Sequence, residues 1–301
     1  MSRILLAHAA AATAAIGGGS AVVVTRMVIG ETDPVSLAFF RYAIGALCML
    51  PVLFAAWPRG GLTGGDWVKV AALGALFFGL FPWSFSAGLE ITTAARGAVW
   101  LATMPMQTLI VAVLVGREVL TRNKLIGVLL ALAGVAVMFG PEAFASGNGL
   151  TLWSGDLLLL FTAFCAAVYS VFSRRTLERL GALFATALAM LFGVLSLAGP
   201  GVAVGTFDGW PEFTGRGWFL VIFLGTAGGA VQFTLFTWAL RWLDPSRVTI
   251  YLSLIPVTAM VLAVLLLGES LTLPLVIGLA LALSAVAVAN RPGRRASAPA
   301  S

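Results

Sequence analysis

The chain repeats itself at a fixed offset of 151 residues. Laid without gaps over 218–290, residues 67–139 are identical at 23 of 73 positions. A chain this rich in Ala, Leu, Gly and Val matches itself by composition at only roughly one position in ten, so the excess marks an internal duplication. The identities include residues that apolar bias does not supply. Trp67 falls on Trp218, Gly74 on Gly225, Phe85 on Phe236 and Arg96 on Arg247. Pro105 falls on Pro256, Glu118 on Glu269, Thr121 on Thr272 and Gly127 on Gly278. In a membrane protein, two halves of this kind enclose a site between them.

Lipid is the solvent that the composition demands. The chain is 60% hydrophobic and 10% charged, with a mean hydropathy of +1.03, whereas a soluble domain carries about 25% charged residues. Ten apolar stretches are long enough to cross a bilayer: roughly 4–26, 34–57, 67–89, 93–116, 122–140, 154–173, 182–204, 216–241, 246–267 and 272–290. Each is predicted to be a helix, which satisfies its own backbone hydrogen bonds. The expected fold class is all-α integral membrane, ten transmembrane helices in two inverted five-helix repeats. The halves are residues 1–140 and 154–290, joined by a loop at 141–153, and the basic tail 291–301 is expected to be disordered. The first stretch, with Arg3 ahead of an apolar run, also has the form of a secretory signal. It is longer than the usual signal core, and the repeat needs it for a five-plus-five count.

Lys and Arg set the expected orientation. With the N-terminus inside, fourteen fall on the inner side: Arg3, Arg59, Lys69, Arg117, Arg122, Lys124, Arg174, Arg175, Arg179, Arg241, Arg247, Arg291, Arg294 and Arg295. Arg26, Arg96 and Arg216 fall outside, and Arg41 lies within a span. This is a strong positive-inside bias, and it accounts for a pI near 10.1 without nucleic-acid binding. Cys48 and Cys165 lie inside apolar spans and read as packed small hydrophobes. His8 is the single histidine, which leaves no His-based triad or H-E-x-x-H site. No paired acids, Ser/His pair or metal set points to an intramembrane enzyme. No cofactor is expected.

Five is an odd number, so the second half starts on the opposite side of the membrane and the repeats are inverted. Such halves give a fold one shape open inward and a related one open outward. Each half carries a Pro in its fourth helix and a Glu at that helix's end (Pro105 and Glu118, Pro256 and Glu269). Phe40-Arg41-Tyr42, Gly155-Asp156, Gly127 and Gly278 accompany them. In this the chain resembles the EamA-type members of the drug/metabolite transporter superfamily over nearly its whole length. The resemblance implies a ten-helix carrier for small metabolites, often an exporter of amino acids, and leaves the substrate unnamed.

Helical spacing supplies candidate site residues. Arg96, Trp100, Thr103 and Gln107 share one face of the fourth span. The 151-residue shift sends them to Arg247, Tyr251, Leu254 and Thr258 in the ninth. The two faces read either as walls of a central cavity or, for Trp100 and Tyr251, as interfacial anchors. Gln232 and Phe236 share a face of the eighth span, with Thr237 adjacent. Tyr169 lies on the sixth, and Phe78 and Phe81 belong to an aromatic cluster on the third. An amide such as Gln232 in mid-span must find a partner in protein, water or ligand. Arg41 is the one deep ionisable group. It reads as an anchor for a substrate carboxylate or as a side chain that fixes its helix, and the family resemblance, which implies Arg here whatever the substrate, favours the second. Pro105 and Pro256 can kink their helices. Gly17 and Gly18, in a run that interrupts the first span, are candidate hinges.

Scarce polar groups among aromatic ones suit amphipathic solutes, either aromatic or bulky aliphatic amino acids or small drugs. The lack of a central acid predicts a facilitator or exchanger, because proton coupling needs a titrating group in the pathway. The expected partners are a small-molecule substrate and membrane lipid, with neither nucleic acid nor an obligate protein partner. The expected location is a bacterial inner membrane with both termini cytoplasmic. The other readings are a multidrug or other solute carrier, and a non-transport scaffold or sensor.

Overall fold

A computed structural model describes residues 3–58, 60–117, 120–143, 149–209, 213–239, 242, 251–252 and 254–289. Every regular element among the described residues is a helix. The helices are α1 (Arg3–Val28), α2 (Pro34–Ala55), α3 (Gly64–Ile91), α4 (Ala94–Leu114), α5 (Arg122–Ala143), α6 (Gly149–Leu180), α7 (Ala182–Ala203), α8 (215–239), α9 (Leu254–Leu267) and α10 (Leu273–Ala289). Among the described residues, seven helical runs are long and apolar enough to cross a membrane: α1 to α4 and α6 to α8. Apolar runs at Leu254–Leu267 and Leu273–Val288 are shorter.

Local chemistry sets the helix starts. The Asp33 carboxylate accepts from the Val35 and Ser36 N–H groups, with Pro34 in the first turn of α2. Thr63 and Asp66 form a reciprocal capping box at α3, and Thr93 and Thr214 cap α4 and α8. Such caps satisfy N–H groups that the helix itself leaves unpaired. After α4 and after α9 the chain turns through a left-handed glycine, Gly116 (φ 67°) and Gly268 (φ 64°), the usual way to end a helix.

Three helices depart from regular α geometry. In α3 residues Ala75–Leu80, and in α8 residues Thr226–Val231, form one π-helical turn. These two segments are separated by the 151-residue repeat. The α4 helix breaks at Thr103, between Ala94–Ala102 and Met104–Leu114. Pro105 lies in the first turn of the second piece, where its missing N–H costs nothing.

Packing follows the repeat as well. The α2 helix packs on α7, and α5 on α10. The pair α1–α9 has its counterpart in α6–α4, α3–α6 in α8–α1, and α3–α7 in α8–α2. Small residues make the close approaches. A Cβ on Gly74 of α3 would lie 3.0 Å from the Ala189 Cα and C atoms of α7, and one on its repeat mate Gly225 of α8 would lie 2.7 Å from the Arg41 carbonyl oxygen of α2. Lipid gives apolar helices no hydrophobic drive to associate, so close backbone approach of this kind holds them together.

Several sequence expectations need adjustment. The α1 helix runs unbroken through Gly17–Gly19, so these glycines do not interrupt it. A Cβ on Gly19 would lie 2.6 Å from Ile255 O and from Thr258 Cβ, and the run is the seam along which α1 meets α9. The α5 helix extends to Ala143 and α6 begins at Gly149, so both reach into the stretch 141–153 expected to be a loop. Cys165 is buried as expected, but Cys48 is exposed. Glu118, Arg247 and the tail from 291 lie outside the described residues, as does the Thr237 side chain.

Candidate functional site

A cavity of about 310 Å³ lies between the two halves of the chain, at the low end of small-molecule pockets. Helices α1, α2, α3, α4, α6, α7, α8, α9 and α10 all contribute to its wall. Phe77, Phe81 and Phe85 of α3 supply an aromatic side, joined by Tyr169 of α6 and Phe233 and Phe236 of α8. Phe77 stacks on Tyr169 with ring centroids 4.2 Å apart and planes at 14°. The polar groups on the wall are few: Arg41, Tyr42, Tyr169, Ser170, Thr186 and Gln232.

The π turns put these groups where they are. A π turn adds a residue and rotates the remainder of its helix, and it recurs at functional sites. In α3 the turn sets Phe77 on the cavity wall while Phe78 is fully buried behind it. Phe78 there meets the rings of Tyr42, Tyr169 and Phe233 edge-on. In α8 the turn carries Gly228, whose carbonyl accepts from Arg41 Nη2 at 3.4 Å.

Of the candidates named from spacing, Arg41, Phe81, Pro105, Tyr169, Gln232, Phe236, Pro256 and Gly18 line this cavity. Trp100, Thr103, Gln107, Tyr251, Thr258, Phe78 and Gly17 are not part of its wall. The first three keep to one side of α4, with Arg96 and Trp100 both on Asp156 and Gln107 on Thr103, whereas the side that α4 turns to the cavity is that of Leu101, Ala102, Met104 and Pro105. Trp100 instead donates its indole N–H to Asp156 Oδ1 at 2.7 Å. Thr103 donates back to Trp100 O at 2.7 Å, and Gln107 donates to Thr103 Oγ1 at 3.2 Å. In the other half, the Tyr251 hydroxyl pairs with His8 Nδ1 at 2.9 Å. Thr258 sits at the α1–α9 seam.

The centre of the polar structure is a residue that sequence reasoning did not place in the site. Asp156 is buried two turns into α6 and holds both the Arg96 guanidinium and the Trp100 indole. An Asp and an Arg facing the same membrane side at the edges of neighbouring spans was the available signal.

One set of polar ties lies at the end of the bundle where α1 and α9 finish and α2, α4 and α8 begin. Glu269, beyond α9, accepts from the Ala94 and Ala95 N–H groups of α4 at 2.9 and 3.0 Å. Glu31, beyond α1, accepts from Thr214 N at 2.9 Å at the start of α8. Ser36 of α2 bonds Thr206 beyond α7 at 2.7 Å. The Arg96–Asp156–Trp100 cluster joins α4 to α6 at the same end. The cavity extends the other way, to Leu177 and Ala182 where α6 passes into α7, and to Leu252 before α9. At that other end Arg179 Nη2 pairs with Asp66 Oδ2 at 2.7 Å, joining the end of α6 to the start of α3, and Arg117 donates to Val171 O of α6, so both ends of the bundle carry ties. Among the described residues no group of His, Cys, Asp and Glu could hold a metal ion.

Known proteins resemble this chain in sequence and in fold. The profile of the EamA-like transporter family matches residues 5–140 and 153–291. An uncharacterized transporter of Clostridium kluyveri is 26% identical over 259 residues, covering 83% of this chain and 81% of its own. The uncharacterized transporter YyaM of Bacillus subtilis is 23% identical over 243 residues, covering 79% and 78%. A solved crystal structure superposes with a TM-score of 0.66 at 22% identity, covering 97% of this chain and 99% of its own, which shows a shared fold. With the family profile matching nearly the whole length and relatives named as transporters, this chain belongs to the EamA-like transporter family and is an integral membrane transporter.

Proposed function

We propose that the protein is an alternating-access carrier that exports small amphipathic metabolites, most favourably aromatic or bulky neutral amino acids. The single observation that carries the reading is a mainly apolar, aromatic-walled cavity between the halves of a duplicated chain. The reading takes the chain to cross the membrane ten times in two inverted halves. The matched π turns, the glycines that end α4 and α9, and the helix pairings all repeat between the halves. A duplicated fold whose halves can exchange roles has a mirror-related state open at the other end. Pro105 and Pro256 both line the cavity and are the positions at which α4 and α9 would bend. The positive-inside bias favours cytoplasmic termini, and the reading takes the membrane to be a bacterial inner membrane. On that orientation the Glu269 and Glu31 ties face outward and the cavity reaches toward the cytoplasm, the side from which an exporter loads.

No carboxylate or histidine is among the described cavity-lining residues, which supports facilitation or exchange rather than proton coupling. The test is counterflow in liposomes, with unlabelled solute inside and labelled solute outside, over the twenty amino acids and a set of cationic drugs. The carrier reading expects saturable, trans-stimulated uptake of aromatic or bulky neutral amino acids. Trans-stimulation by the drugs alone would favour a multidrug carrier, and none with any solute would sink the carrier reading. Uphill accumulation driven by an imposed pH gradient would contradict the facilitator mechanism.

A further inference from the structure

Arg41 is the one charged residue among the described lining of the cavity. It is 9% exposed, and its Nε has no hydrogen-bond partner. Its two other bonds are long: Nη1 donates to Thr25 Oγ1 at 3.3 Å and Nη2 to the Gly228 carbonyl at 3.4 Å. The guanidinium carbon lies 5.1 Å from the centroid of the Tyr42 ring. An arginine that merely braced its helix would have its five N–H donors matched by acceptors, because a buried charge left without partners is costly. Here two donors have weak acceptors that carry no charge, and no acid on the cavity wall offsets the positive charge. Its setting is otherwise fixed. Thr25 is itself held by a bond from its Oγ1 to Ala21 O at 2.7 Å, and Gly228 belongs to the π turn of α8. A preorganised, incompletely partnered guanidinium at the edge of an apolar chamber is a receptor for a planar anion, which it can grip with two parallel N–H bonds.

The same wall has nothing comparable for a cation. Phe77, Phe81, Tyr169 and Phe233 offer ring faces, and Gln232 offers an amide that makes no side-chain hydrogen bond among the described residues. Ring faces attract an ammonium through the ring quadrupole alone, and the field of Arg41 opposes one.

We propose that Arg41 binds the carboxylate of the substrate, and that the cavity selects amphipathic carboxylates with an aromatic-sized apolar body whether or not they carry an α-ammonium group. This rests on the carrier reading for its context and narrows it: the carboxylate is required and the amine is dispensable. Deaminated acids are then substrates on a par with, or better than, the amino acids that share their side chain.

Three ligands with one common body test this on the purified full-length protein at pH 7: 3-phenylpropionate, phenylalanine and phenethylamine. Equilibrium binding is expected to place 3-phenylpropionate at or above phenylalanine, with phenethylamine at least about tenfold weaker than either. Arg41→Gln is expected to cut 3-phenylpropionate affinity about tenfold or more, with Arg41→Lys intermediate because it keeps the charge and loses the fork. If Arg41→Gln does not fold, the three-ligand order on the unaltered protein still decides. Phenethylamine binding as well as 3-phenylpropionate would overturn the proposal. So would no saturable binding of either carboxylate, or unchanged affinity in a folded Arg41→Gln protein. Counterflow separates the two claims. Carboxylate binding without exchange would keep the anchor and sink the carrier, and exchange that favours phenethylamine would do the reverse.

Discussion

Glu269→Ala is expected to loosen the end of the bundle where α9 finishes and α4 begins. The first turn of α4 has its free donors fully assigned. The Ala94 and Ala95 N–H groups go to Glu269 at 2.9 and 3.0 Å, and the Arg96 N–H goes to Thr93 Oγ1 at 3.2 Å. Glu269 is the only one of these acceptors that comes from another helix, so it couples the end of α9 to the start of α4. Hydrogen bonds to a charged group contribute about 1.5–3 kcal/mol each. A carboxylate at a helix N-terminus gains a further fraction of a kcal/mol from the helix dipole. Glu269 is only partly buried, so water can replace it in part. The net loss is therefore about 1–3 kcal/mol, a fall of about 5- to 150-fold in the ratio of tied to untied states. Glu269→Gln keeps one acceptor oxygen and is expected to lose about half as much. Spin labels at Glu90 and Ser270, both exposed near this end, report the change in a background with Cys48 and Cys165 replaced by Ala. Strong spin–spin broadening is expected in the unaltered protein, with partial loss in the Gln variant and most of it lost in the Ala variant. Equal broadening in all three would refute the coupling.

Three further outcomes rest on the packing and the cavity. Asp156→Asn leaves the buried Arg96 without its counter-charge, at a cost of about 3–5 kcal/mol, measurable as a lower midpoint of thermal unfolding in detergent. Gly193→Ala places a methyl 2.7 Å from the Phe78 backbone carbon, and this overpacking is expected to cost about 1–3 kcal/mol, whereas Ala at the open position Gly199 should change the same midpoint little. Pro105→Ala and Pro256→Ala are each expected to slow counterflow without abolishing binding, since both line the cavity at the start of a helix segment. Unchanged exchange in both would count against bending there.

The helical fold was legible because it rests on hydropathy and duplication, which are properties of the linear sequence. Trp67 on Trp218 and Glu118 on Glu269 needed no coordinates. Helical spacing groups residues on one face but does not say which face looks inward. Gln232, Phe236 and Tyr169 line the cavity. Trp100, Thr103 and Gln107 lie on a side of α4 that bonds Asp156 of α6 and the helix itself instead. The π turns escaped notice for a different reason. Gly74 and Gly225 are identical, but the turns after them are not (Ala75–Leu80 against Thr226–Val231), and an inserted π turn is a backbone event with no residue signature. Asp156 was read as opening a span. Its burial depends on α6 starting at Gly149 and on Arg96 arriving from another helix, a tertiary pairing that hydropathy does not encode.

Access to the cavity from both sides of the membrane is the central claim, and one measurement tests it directly. Ala102 is buried on the cavity wall. In a protein with Cys48→Ala and Cys165→Ala, Ala102→Cys can be exposed to a membrane-impermeant thiol reagent from either face of oriented vesicles. The account predicts labelling from both faces, slowed from each by 3-phenylpropionate or phenylalanine. Labelling confined to one face, with and without ligand, would contradict it.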